Sequence, residues 1–142
     1  MKSSQGMSLI EILIVLVIMG MIVGFVGGKV FDRLEEGKID SAKIQINMLS
    51  ERLKEFRRSC GQYPTTEQGL ESLVVKPTKG KTCDRYPPNG FLDKEVPKDP
   101  WQSDYVYQSD GNDFNITSYG RDRLEGGESF DADIHYKDPK KK

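Results

Sequence analysis

Histidine and tryptophan occur once each in this 142-residue chain, and cysteine only twice. A single histidine, with no reactive-cysteine context, leaves no nucleophile–base pair; no phosphate-binding loop or cofactor motif is present either, so catalysis has no visible seat. The cysteines, Cys60 and Cys83, lack C-x-x-C spacing and any haem-attachment motif. There is no surplus of charge of one sign. The formal net charge is -1, which gives no reason to expect nucleic acid as a partner. The one charge run, Lys140-Lys141-Lys142, reads as a solvated tail.

What is present is concentrated at one end. Met1 to Gly6 is a short polar leader carrying Lys2. From Ile12 to Gly28 there follow 17 residues without a charged or strongly polar side chain. As a helix this stretch spans roughly 25 Å, enough to cross most of a bilayer core. Secretory leaders place their small-residue cleavage site after the apolar stretch. Here the small-residue junction, Gly6-Met7, lies before it, so cutting there leaves the hydrophobic helix on the mature chain. Glu11 sits at the edge of that span, where an acid is either a headgroup anchor or functional. After cleavage Glu11 becomes the fifth residue, about one helical turn from the new amine of Met7, within reach of its own or a neighbour's amine.

Beyond Gly28 the apolar pattern turns periodic. Ile39, Ala42, Ile46, Leu49, Leu53, Phe56 and Cys60 recur at spacings of 3 and 4, one stripe of an amphipathic helix. No proline interrupts the chain between the two patterns, so one long helix is expected from about Ser8 to Ser59, with Gly37 as its softest point in the charged stretch from Asp32 to Lys38. Gly61 and Pro64 stop it. Thr65 to Gln68 reads as a capping box opening a short helix with Leu70, Leu73 and Val74 inward. Residues 78–100 are loop-rich. Tyr105–Tyr107 and Phe114–Thr117 read as a hairpin around Asp110-Gly111. The expected fold class is α+β: a long N-terminal helix, transmembrane then amphipathic, packed on a small antiparallel sheet with a C-terminal acidic loop. The expected segments are a leader (1–6), a membrane or filament-core helix (7–28) and a soluble head (29–142).

Export implied by the N-terminus favours pairing of Cys60 with Cys83, closing a loop worth about 3 kcal/mol in the chain-entropy picture. Two unpaired small hydrophobes are the alternative. The acidic stretch carries Asp122, Glu125, Glu128, Asp131 and Asp133 among glycines. Hard cations such as calcium want six to eight oxygens on a backbone able to curl round them, although many acidic loops are simply solvated. EF-hand spacing is absent.

The N-terminal pattern resembles the type IV filament superfamily, whose leaders end in glycine, are cut and N-methylated by a prepilin peptidase, and carry Glu five residues in. Gly6, Met7 and Glu11 match, although Met7 stands where Phe is usual, Gln5 where a basic residue is usual and Gly28 where many relatives have proline. The run Tyr63 to Leu73 resembles the YPTTxQGLxxL run of the G-type (major) pseudopilins of type II secretion systems. Pro97 to Tyr105 resembles their PxDPWGxxY run, with Gln102 replacing glycine. In both runs the aromatics read as packing residues, with Pro97, Pro100 and Trp101 locking a turn against the sheet. The resemblance implies the major structural subunit of a periplasmic pseudopilus that drives folded proteins across the outer membrane. Its partners would be further copies of itself, the minor pseudopilins, the inner-membrane secretion platform and the prepilin peptidase. It implies a single-pass inner-membrane protein with a periplasmic head. A type IV pilin of adhesion or motility is the alternative, and a membrane-tethered calcium-binding or enzymatic domain a more distant one. The resemblance also implies one calcium in the acidic loop. Ser118, Gly120 and Asp122 match the family's first half, with Arg123 replacing glycine, and Ser129, Asp131, Asp133 and Ile134 match the second with Ala132 inserted. The implied ligands are Asp122 and Asp131, then Asp133, with the carbonyls of Tyr119 and Ser129; His135 is expected at the surface or in packing.

Overall fold

The computed structural model describes residues 8–137. Helix α1 runs without a break from Leu9 to Cys60, 52 residues, starting from the Ser8 carbonyl, which accepts from the amides of Glu11 and Ile12. Gly37, the expected soft point, lies inside it together with Gly24, Gly27 and Gly28, and none of them interrupts it. Glycine lowers helix propensity by about 1 kcal/mol but, unlike proline, leaves the backbone hydrogen bond in place. The helix ends where Gly61 turns left-handed (φ 85°) and its amide donates to the Arg57 carbonyl, the single bond of an αL cap.

The chain divides into two compact units, residues 1–36 and 37–142, at the glycine read as the soft point. In the first, the apolar side chains of α1 from Leu9 to Leu34 stand exposed. This part of the helix is the one described segment long and apolar enough to cross a membrane. In the second, the periodic stripe does what its spacing requires. Ala42, Ile46, Leu49, Leu53 and Phe56 are buried, with Ile39 and Cys60 partly so.

Against that stripe lies a three-stranded antiparallel sheet, β1 (Val106–Ser109), β2 (Phe114–Ser118) and β3 (Ile134–His135), in the order β1-β2-β3. Val106 pairs with Thr117 and Ser109 with Phe114; on the other side Ser118 pairs with Ile134. The hairpin turn is closed by the Asp110 carboxylate, which accepts from the amides of Asn112 and Asp113. Tyr105, expected in the first strand, falls just before β1, whose pairing with β2 begins at Val106; its side chain turns inward and its hydroxyl donates to Gln45 Oε1 of α1 at 2.6 Å. At Ser109, the end of β1, the outer edge of the strand is met by Thr66. Ser109 donates its amide to Thr66 Oγ1, and Thr66 donates its own amide to the Ser109 carbonyl.

The segment after Pro64 departs from a regular helix. Gln68 Oε1 does reach back to the Thr65 amide at 3.0 Å, as a capping box requires, yet only a single 3-10 turn, Leu70–Leu73, follows. Leu70 and Leu73 are buried and Val74 is half-buried. The backbone is diverted because the Leu73 carbonyl takes the amides of Phe91 and Leu92 instead of continuing a helix. Cys60 and Cys83 are joined by a disulfide, Cα–Cα 4.7 Å, which ties the end of α1 to the loop that precedes Phe91. Tyr86 packs edge-on to both Phe56 and Phe91, which are tilted against each other.

Candidate functional site

Two places carry the chemistry expected from the sequence: the start of α1 and the loop between β2 and β3. Gly6 and Met7, the expected processing junction, lie outside the described residues. Glu11 is the acid of the first turn of α1, exposed, in the midst of Leu9, Ile10, Ile12 and Leu13. A carboxylate there is favoured by the helix dipole and disfavoured by any surrounding lipid.

The C-terminal loop runs from Tyr119 to Asp133. Asp122 is exposed, and its Oδ1 accepts from the amide of Leu124. Asp131 is held by both oxygens: Arg121 Nε donates to Oδ1 at 2.8 Å and Nη2 to Oδ2 at 3.1 Å. That hydrogen-bonded guanidinium holds the Asp131 carboxyl below the usual carboxylate range. Asp133 lies deeper, its side chain 10% exposed. Its Oδ2 accepts from the Gly126 amide, while its Oδ1 is buried without a hydrogen-bond partner. The Ser129 carbonyl accepts from the Ala132 amide. Gly120 and Gly127 are left-handed and pressed against the loop's return. A Cβ on Gly127 would collide with the Asp131 carbonyl oxygen, and one on Gly120 would lie 3.1 Å from that of Ala132.

The expected convergence of Asp122, Asp131 and Asp133 is therefore not assembled. Among the described residues no three acidic, histidine or cysteine groups cluster as metal ligands. The physical reason is that Arg121 occupies Asp131 and the Leu124 amide occupies Asp122. What does suit a hard cation is the orphaned oxygen of Asp133 in a glycine-lined, carbonyl-rich return. His135 belongs to β3, its Nδ1 2.9 Å from Thr117 Oγ1 and its Nε2 3.9 Å from Asp133 Oδ2.

Two organising residues were passed over by sequence reasoning: Asp99 in the neighbouring turn and Arg121 in the acidic loop itself. Asp99 is 1% exposed and accepts from the amides of Trp101 and Ser103 and from the hydroxyl of Ser118 at 2.6 Å. Pro97 and Pro100 flank this hub and Trp101 is buried beside it. An aspartate next to proline signals a turn; that this one is the buried hub appears only in the fold. Arg121 gave no signal beyond being a cation among acids.

A long helix with an exposed apolar N-terminal half, leading into a head of three short strands, defines the class: pilin-like subunits of envelope fibres. Residues 1–27 match the prokaryotic N-terminal methylation motif, and residues 29–137 match the family described as type II secretion system (T2SS), protein G. The chain belongs to this protein G family. It is similar to the type II secretion system core protein G of Pseudomonas aeruginosa, 37% identical over 135 residues and covering 94% of each chain. The Vibrio cholerae core protein G is likewise 37% identical, over 136 residues, 94% of this chain and 92% of that one. Among solved structures, the major pseudopilin from the type 2 secretion system of enterohaemorrhagic Escherichia coli superposes with a TM-score of 0.64 at 31% identity, covering 73% of this chain and 86% of that one.

Proposed function

We propose that this chain is the major structural subunit of a type II secretion pseudopilus. It inserts in the inner membrane through α1, is cut between Gly6 and Met7, is methylated on the Met7 amine, and assembles with further copies into a periplasmic fibre that drives folded proteins across the outer membrane. The observation that carries the reading is α1 itself: its apolar half, Leu9 to Leu34, stands exposed among the described residues, as a helix shared between a bilayer and a fibre core requires. The protein G relatives support type II secretion over an adhesive or motility pilus. The Cys60–Cys83 disulfide suits an oxidising periplasm. The prepilin peptidase, the minor pseudopilins and the inner-membrane platform are the further partners of this reading.

Calcium is part of the proposal. Asp133 offers the oxygen in need of a partner; Asp131 and Asp122 would complete the acidic side, with the carbonyls of Tyr119 and Ser129. A bound calcium would supply charge neutralisation and fix the return of the chain from β2 to β3.

Intact-mass analysis of the membrane-extracted protein tests the processing: the expected chain begins at methylated Met7. A chain still starting at Met1, or cut after Gly28, sinks the filament reading. Glu11→Leu is expected to insert stably and assemble poorly, because insertion becomes easier while the carboxylate's pairing with a Met7 amine is lost. Normal fibre yield and secretion in that variant reduce Glu11 to a headgroup anchor.

A further inference from the structure

We propose that Arg121 is a built-in competitor for the cation of the acidic loop, holding Asp131 when the ion is absent and giving it up when the ion binds. The inference rests on the calcium reading above and concerns what this chain adds to it. A bidentate guanidinium occupies both Asp131 oxygens, the strongest geometry a side-chain cation has for a carboxylate. Arg121 is further seated by the Phe130 ring, 6.0 Å from its guanidinium carbon. Two positions along, Asp133 keeps a buried oxygen with no partner. The two acids are thus unequal: one is already neutralised, the other still asks for a partner.

A divalent ion seated at Asp133 recruits Asp131 less readily while the guanidinium holds it. Each Asp131 oxygen already accepts from Arg121, and the two cations would repel each other at close range. Arg121 therefore weakens ion binding and, in return, keeps the loop's acids from repelling one another when calcium is scarce. The loop retains its course between β2 and β3 in both conditions, with the guanidinium and the metal alternating on one carboxylate.

The test uses the full chain in detergent micelles, with calcium chloride added to the chelated protein. Arg121→Gln removes the competing charge and Arg121→Lys keeps it without the fork. Calorimetric titration is expected to show Arg121→Gln binding calcium about two- to fivefold more tightly than wild type, the range of a partly exposed ion pair, with Arg121→Lys between them. In chelator, limited proteolysis should cut Arg121→Gln within residues 121–131 faster than wild type, and calcium should abolish that difference. Wild-type affinity in Arg121→Gln, or equal cutting in chelator, overturns the competitor role while leaving the calcium reading intact. Absence of calcium binding in wild type and both variants overturns the calcium reading, and the competitor role with it.

Discussion

Arg123 Nη2 donates to the carbonyl of Trp101 at 2.7 Å, joining two turns that each carry a non-glycine residue in the left-handed region. Arg123 itself has φ 62°, and Gln102, next to Trp101, has φ 66°. These are the two positions where the chain departs from a glycine of the pseudopilin pattern. Each L-residue there costs roughly 1–2 kcal/mol, whereas glycine brings back 0.5–1 kcal/mol of unfolded-state entropy, roughly speaking. Gln102→Gly is therefore expected to stabilise the head by up to about 1 kcal/mol. Arg123→Gly relieves the same strain but loses a charged hydrogen bond of about 1.5–3 kcal/mol, for a net loss of about 1 kcal/mol. Urea unfolding of the two variants measures both; equal and same-signed shifts would show that the Arg123–Trp101 bond contributes nothing.

Asp99 is the buried anchor of the neighbouring turn. Asp99→Ala leaves the amides of Trp101 and Ser103 and the hydroxyl of Ser118 without their acceptor, and is expected to cost about 3 kcal/mol or more. Asp99→Asn should cost markedly less. Its amide oxygen still accepts the two backbone donors, and the Ser118 hydroxyl can reverse to accept from the new amide nitrogen. Chemical unfolding curves for the pair check the ranking, and indistinguishable variants would contradict it.

The disulfide closes the segment from Cys60 to Cys83. Replacing both cysteines with serine is expected to lower stability by about 3 kcal/mol, and adding reductant to the wild type should reproduce most of that loss. Protease sensitivity should rise first between Lys76 and Asn89, where the chain has little regular structure of its own. A double variant as stable as wild type would show that the aromatic packing of Phe56, Tyr86 and Phe91 suffices.

Three aspartate carboxyls of the head's turns and loops sit below their usual range in the fold. Asp110 is held down first by the Asp113 amide and then by that of Asn112, Asp113 by Lys137, and Asp131 by Arg121. Depressed folded-state values mean stabilisation that is present above the unfolded value of about 3.9 and lost as pH falls through the folded values. All three should therefore titrate below about 3.9 by carboxyl NMR, and the hairpin turn and C-terminal loop should loosen only in that acid range. Titration of all three at ordinary aspartate values would remove the argument. At the alkaline end, burial pushes the Tyr107 hydroxyl up to about 12, so its contribution is present below about pH 10 and lost as pH rises through the folded value.

The amino-acid sequence alone determined whatever repeats locally. Continuous apolar residues followed by a stripe at spacings of 3 and 4 specify α1 almost to the residue, Gly61 specifies its end, and Asp110-Gly111 the hairpin turn, because helix and turn preferences act over a few residues. The tertiary structure alone decided the rest. Strand β3 is two residues long and exists only because β2 offers Thr117 and Ser118 as partners, so no alternation marks it in the sequence. The 3-10 turn at Leu70 replaces a helix because Phe91 and Leu92, far along the chain, claim the Leu73 carbonyl. In the acidic loop, composition set the charges, but only folding chose which carboxylate met Arg121, which met a backbone amide, and which was left with a buried oxygen unpaired. Such choices depend on side chains brought together across loops whose course no local preference fixes.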